Sequence, residues 1–143
     1  MDRDSVLLVD DEEDFVRALA KRLGVRGLYV EVAGDGESAV EKVKEIDFGV
    51  VVLDLAMPGM DGLETLKYLR EVDPDLQVVL LTGHGSNKLG VEAIKEGALD
   101  CLEKPAEFAD LLAKIREASA KHTLLVEKRR EGRVEDILRD RSW

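Results

Sequence analysis

The chain of 143 residues is the length of one ordinary domain and can bury enough apolar surface to fold without disulfide or metal staples. Its 45% apolar content excludes a disordered or collagen-like chain, and with only 4% aromatic residues its core must be built from Val, Leu, Ile and Ala. Thirty-one acidic against 21 basic side chains give a net charge of −10, which repels a polyphosphate backbone and argues against nucleic-acid binding.

The longest apolar run, Phe48 to Leu53, is six residues, far short of a bilayer span. Met1 to Ser5 lacks the basic-then-apolar layout of a secretory signal, so a cytoplasmic protein independent of membranes is expected. The single cysteine, Cys101, excludes an intramolecular disulfide and a cysteine-based zinc site, which leaves oxygen ligands for any bound metal.

Five strand-helix units can be written in chain order. Val6 to Val9 predicts a strand, followed by a helix with Phe15, Val16, Leu19 and Leu23 on its apolar face, ended by Gly24 and Gly27. Tyr29 to Ala33 predicts a second strand, and Asp35-Gly36 introduces a helix carrying Ala39, Val40 and Val43. Val50 to Leu53 is the third strand. Pro58-Gly59 interrupts the chain after it, then Leu63, Leu66 and Leu69 mark a helix that Pro74 follows. Val78 to Leu81 precedes a helix with Val91 and Ile94, and Asp100 to Glu103 precedes one with Phe108, Leu111, Leu112 and Ile115.

Short, wholly apolar strands suit a parallel sheet covered on both faces, and parallel neighbours require crossover helices. The alternation therefore predicts a doubly wound α/β fold with a five-stranded parallel sheet, too few strands for a closed (β/α)₈ barrel. Composition shifts near residue 120. Residues 1–120 hold 14 basic and 26 acidic side chains, whereas residues 121–143 hold 7 and 5. The expected division is one domain over 1–120 and a charged C-terminal helical extension or linker over 121–143. There Leu124, Leu125, Val126, Val134, Ile137 and Leu138 suggest a short amphipathic helix that packs on its own domain, pairs in a homodimer, or begins a linker. No heptad can be sustained through 127–133, so a continuous coiled coil is not expected.

Ligands of open α/β sheets bind beyond the carboxyl ends of the strands. In this chain those places hold Asp10-Asp11, Asp54, Thr82 and Lys104-Pro105. Three carboxylates brought together repel one another, and a hard cation such as Mg²⁺ is a stable solution. An aspartate beside such a cation can attack a phosphoryl donor while the metal and a lysine neutralise the phosphoryl oxygens, which makes Asp54 the candidate nucleophile.

Each residue also has a plainer reading. Glu12 to Asp14 is best read as favourable charge at a helix N-terminus. Alone, Asp54 could cap a loop, Thr82 could turn one, and Lys104 could be a solvated surface residue. Pro58-Gly59 and Asp61-Gly62 read as turn chemistry, and Gly83 either as a turn or as room for a phosphoryl group. His84 reads as a loop histidine or a residue controlling water access, and Cys101 as a small buried hydrophobe.

Together the motifs Val-Asp-Asp at 9–11, Leu-Asp-Leu-Ala-Met-Pro-Gly-Met-Asp-Gly at 53–62, Leu-Thr-Gly-His-Gly at 81–85 and Lys-Pro at 104–105 resemble the bacterial two-component response-regulator receiver domain over residues 4–120. The resemblance implies a flavodoxin-like (βα)₅ fold with strand order 2-1-3-4-5, and a switch protein rather than an enzyme. It implies Asp54 as phosphoacceptor, Asp11 as a direct Mg²⁺ ligand, Asp10 as a ligand acting mainly through metal-bound water, and Ala56 as a backbone-carbonyl ligand. Lys104 would pair with the phosphoryl group, Thr82 would swing to hydrogen-bond it, and the Lys104-Pro105 bond would be cis. The implied partners are a sensor histidine kinase or phosphotransfer protein and a downstream protein or output domain. Hydrolysis of the acyl phosphate would reset the switch. The phrasing is similar to receivers of transcriptional activators, although 143 residues provide no output domain of their own. One departure stands out: Cys101 occupies a position, three before the lysine, that often holds Tyr or Phe.

The rivals fail on chemistry. A haloacid-dehalogenase-like phosphatase needs a second Asp two positions after its nucleophile, and here that residue is Ala56. A flavodoxin-like cofactor carrier places its phosphate loop after the first strand, where Asp10-Asp11-Glu12-Glu13-Asp14 would repel a flavin phosphate.

Overall fold

The computed structural model describes residues 4–55, 61–83 and 87–141. Its elements are β1 (Ser5–Val9), α1 (Glu13–Val25), β2 (Tyr29–Ala33), α2 (Gly36–Glu45), β3 (Val50–Asp54), α3 (Gly62–Val72), β4 (Gln77–Thr82), α4 (Asn87–Lys95), β5 (Asp100–Glu103) and α5 (Phe108–Arg141). The strands form one sheet in the order β2-β1-β3-β4-β5, and every neighbouring pair is parallel. Both the doubly wound α/β class and the implied strand order are thus observed. No helix among the described residues is long and apolar enough to cross a membrane.

Two-residue alternation along the strands builds two cores. Leu7, Val9, Val51, Leu53, Val78 and Leu80 pack with Ala39, Val43, Leu66, Leu69 and Ala93 of α2, α3 and α4. Val6, Leu8, Val50, Val52, Val79 and Leu81 pack on the other face with Val16, Leu19, Leu23, Leu111 and Ile115 of α1 and α5. Because both faces are covered, all of β3 and β4 is buried.

Local chemistry sets the helix starts and stops. Asp35 Oδ1 accepts from the Ser38 N–H at 2.7 Å and caps α2, while Asp61 Oδ1 accepts from the Glu64 N–H at 2.8 Å and caps α3. α1 runs through Gly24 to Val25, and the turn to β2 needs Gly27 at φ +89°, a backbone conformation open to glycine. Gly62 has a different task. A Cβ there would meet Leu55 Cα and Cδ2 at 2.6 Å, so the absence of a side chain lets the start of α3 lie against the residue following Asp54.

The change in composition near residue 120 does not interrupt the backbone, because the stretch expected to form a short separate helix is the second half of α5. That helix spans 34 residues, about 50 Å at 1.5 Å per residue. No proline breaks it, and the lone Gly132 costs only about 1 kcal/mol of helix propensity. Its path is held at the amino-terminal edge of the sheet: a Cβ on Gly49 would stand 3.2 Å from His122 Nδ1, and Arg129 Nη2 donates to Asp75 Oδ1 at 2.9 Å. Leu124, Val134, Ile137 and Leu138 remain exposed.

Gly62→Ala should destabilise the fold by roughly 1–3 kcal/mol, since the added methyl meets backbone rather than the end of a flexible side chain. Urea unfolding at neutral pH reads the shift, and an unchanged midpoint would show that α3 can back away from Leu55 freely.

Candidate functional site

The register of the sheet places the polar residues that end the strands. Val9 pairs with Leu53, so Asp10 and Asp54 leave neighbouring strands side by side, and Asp54 in turn faces Leu81 across β3 and β4. Backbone bonds continue beyond the strands, from Asp10 N to Ala33 O at 3.1 Å, Leu55 N to Leu81 O at 3.1 Å and Lys104 N to Thr82 O at 2.7 Å. These extend the β1–β2, β3–β4 and β4–β5 pairings past the strand ends, and the Lys104-Pro105 peptide that follows β5 is cis.

Asp10 and Asp54 are each only 4% exposed, whereas Asp11 faces solvent. Carboxylate oxygens of Asp10, Asp11 and Asp54 lie within 4.8 Å of one another, a cluster able to hold a metal ion. Lys104 supplies the compensating charge. Its Nζ lies 2.8 Å from Asp10 Oδ2, 3.5 Å from Asp54 Oδ2 and 3.7 Å from Glu12 Oε1. Burial alone would lower the affinity of Lys104 for its proton, but the hydrogen bond to Asp10 and the charges of Asp54, Asp10 and Glu12 outweigh it and push the ammonium above the ordinary lysine range.

Both oxygens of Asp10 already have partners, because Oδ1 accepts from the Glu12 N–H at 2.9 Å and Oδ2 from Lys104. Each of those oxygens keeps a second lone pair, so Asp10 can meet a cation directly or through water, and the exposed Asp11 can present an oxygen as well. Three hard carboxylate donors suit Mg²⁺ in their chemistry.

Thr82 is 5% exposed at the end of β4 and lies on the opposite face from Lys104 by strand alternation. Its hydroxyl has weak engagements: Leu102 O accepts from Oγ1 at 3.5 Å, and the Cys101 thiol donates to Oγ1 at 3.7 Å. A Cβ at Gly83 would meet nothing within 4 Å, so the chain beside Thr82 borders open space. Ala56, Pro58, Gly59 and His84 lie outside the described residues.

Two residues at the site carry roles that their places in the sequence pattern do not announce. Phe15, expected on the apolar face of α1, is 39% exposed, and Lys104 Nζ sits 4.9 Å above its ring. Glu12, read as helix-terminal charge, also donates its N–H to Asp10 and places its carboxylate near Lys104. The available signal for Phe15 is its place at the first turn of α1, just past Asp10-Asp11, where an apolar side chain reaches the rim.

Comparison with known proteins matches residues 6–116 to the response regulator receiver domain. The chain is 42% identical over 125 residues to the C4-dicarboxylate transport transcriptional regulatory protein DctD of Pseudomonas aeruginosa, covering 87% of this chain and 27% of that protein. It is 36% identical over 115 residues to the transcriptional regulatory protein FixJ of Rhizobium meliloti, covering 80% of this chain and 56% of that one. The chain thus spans from about a quarter to about half of the length of these relatives. The solved receiver domain of NtrX from Brucella abortus superposes with a TM-score of 0.77 at 33% identity, covering 80% of this chain and 98% of that one. These matches support the receiver reading and lend nothing to a dehalogenase-like phosphatase.

Asp11→Ala should leave unfolding stability in chelator equal to or above the parent's, because it relieves repulsion, and should remove most of the stabilisation that Mg²⁺ adds. Asp10→Ala should lower stability in chelator, since it strips Lys104 and Glu12 of their partner, and cost less Mg²⁺ affinity. Thermal unfolding with and without Mg²⁺, paired with calorimetry, reads both quantities; equal and negligible metal effects in the two variants would reject the cluster as a metal site.

Proposed function

This chain belongs to the response-regulator receiver family of two-component signalling, a family of switches, and from that premise we propose that Asp54 is its phosphoacceptor. The observation that carries the proposal is the pairing of a buried Asp54 with Lys104 at 3.5 Å inside a three-carboxylate cluster. A buried carboxylate of that kind is a competent nucleophile once its neighbouring charges are balanced. In the proposed transfer, Asp54 attacks the phosphorus of a phosphohistidine on a sensor kinase or phosphotransfer protein. The P–N bond breaks, a P–O bond forms, and the electron pair returns to the imidazole.

Mg²⁺, held by Asp11 and Asp54 directly, by the Ala56 carbonyl, and by Asp10 through water, would supply positive charge to the phosphoryl oxygens. Lys104 neutralises a further oxygen, and its raised proton affinity keeps it charged throughout the physiological pH range. Thr82 gives up its long contacts to Leu102 and Cys101 and donates its hydroxyl to the phosphoryl group, which moves the end of β4 and the chain leading to α4. Hydrolysis of the acyl phosphate resets the switch. The output is control of a downstream protein or output domain, as the names of the transcriptional relatives suggest, and the setting is the cytoplasm.

Asp54→Asn should abolish the phosphoryl mass increment formed with acetyl phosphate and Mg²⁺, because an amide is not a competent nucleophile. Intact-mass measurement decides this, and full labelling of the variant would move the phosphoacceptor elsewhere.

Thr82→Ala should accept the phosphoryl group at a comparable level but transmit it poorly. The comparison to make is the phosphorylation-dependent change in backbone amide spectra, where an undiminished change in the variant would show that signalling does not pass through the threonine.

A further inference from the structure

The connection from β5 to α5 meets α1 through two cation–aromatic contacts of opposite sense. Lys104 Nζ lies 4.9 Å from the ring centroid of Phe15, and about two helical turns further along α1 the Arg22 Cζ lies 3.9 Å from the ring centroid of Phe108. In the first contact the helix supplies the ring and the connection the cation, and in the second the roles are exchanged. Both ends of residues 104–108 are thereby fastened to one face of α1.

Core packing does not account for where the Phe15 ring lies. The face of α1 turned to the sheet carries Val16, Leu19 and Leu23, all buried. Phe15 is 39% exposed and borders a cavity of about 180 Å³ that Leu81, Ala106 and Phe108 also line. A ring placed between solvent and a cavity is not wedged into a core, and the cation over its face is the one that also pairs with Asp10 and Asp54.

We propose that Phe15 is a positioning residue for phosphoryl transfer, its ring holding the Lys104 ammonium at the carboxyl edge of the sheet while the ammonium exchanges a carboxylate partner for a phosphoryl oxygen. The inference rests on the phosphoacceptor reading of Asp54. Lysine carries its charge on a flexible stem, and a hydrogen bond to a carboxylate must break before the head can turn to another oxygen. The face of an aromatic ring attracts a cation anywhere over it within about 6 Å of the centroid. Nζ stands 2.8 Å from Asp10 Oδ2 and 3.5 Å from Asp54 Oδ2, so the shift asked of it is short. Over Phe15 the ammonium keeps one partner throughout that shift. An aliphatic side chain of similar size would cover the same surface and offer the cation no such attraction.

The test uses the full chain with acetyl phosphate and Mg²⁺, and reads the initial rate of phosphoryl gain by intact mass. Phe15→Leu removes the ring and keeps the apolar bulk, and its rate should fall about three- to fivefold. Phe15→Tyr restores a ring and should stay within about twofold of the parent. A parental rate in Phe15→Leu overturns the proposal, and so does a Phe15→Tyr variant as slow as the leucine one. In a Lys104→Gln background no cation remains for the ring, so adding Phe15→Leu should change the rate by less than about 1.5-fold. An undiminished loss there shows that Phe15 acts other than through Lys104. The same pair is also compared by urea unfolding in chelator, which needs no phosphorylation. There the two substitutions should depart from additivity by about two- to fivefold in the unfolding equilibrium, and additive effects reject the contact. Failure of the parent to be phosphorylated at all would instead overturn the reading of Asp54, an outcome distinct from a labelled parent whose leucine variant matches it.

Discussion

The Lys104 ammonium is the charge on which the carboxyl edge of this sheet depends. Asp10 and Asp54 are almost fully withdrawn from water, and Asp11 stands within 4.8 Å of both. Repulsion in such a group costs several kcal/mol unless cations answer it, and removing one partner of a buried pair is more costly than never having built it. One lysine opposite two buried acids leaves the edge with an excess of negative charge. Such a residual field favours a cation, and a bare edge of this kind gives up some stability relative to one whose charges balance.

Strand alternation divides this edge into two functional sides. Asp54 continues the parity of Val50 and Val52, and Lys104 that of Leu102, so the charged partners belong to the face covered by α1 and α5. Thr82 and Cys101 continue the parity of Leu80 and face α4. Charge is thus handled on one side of the sheet and hydroxyl and thiol contacts on the other, with only the backbone of β4 and β5 between them. A change in charge on the first side can be felt on the second without any long chain of intermediates.

Much of this is legible in the amino-acid sequence. Wholly apolar runs at 6–9, 50–53 and 78–81 suit strands covered on both faces, and the polar residues that terminate them are the ones the sheet gathers. The division of labour between Asp10 and Asp11 comes from the family resemblance, and the folded chain shows Asp10 buried with each oxygen accepting one hydrogen bond and Asp11 exposed. Other features stay hidden because they depend on packing between distant segments. Phe15 matches the apolar period of α1, and only the position of Lys104, 89 residues later, reveals it as a rim residue. The Cys101–Gly90 contact joins two residues whose segments give no sign of one another. The course of α5 past residue 120 is obscured by a real change in composition, because charge content tracks exposure and carries little information about where a helix stops.

The length of α5 gives the molecule a mechanical property. About 28 Å of helix lies beyond His122, so each tilt of about 2° around the Gly49 contact carries its far end through about 1 Å. Arg129, bonded to Asp75 part way along, ties the helix to the turn before β4, so a tilt large enough to part the two side chains must break that ion pair. Anything attached at residue 141 would receive rotations of the domain magnified into translations.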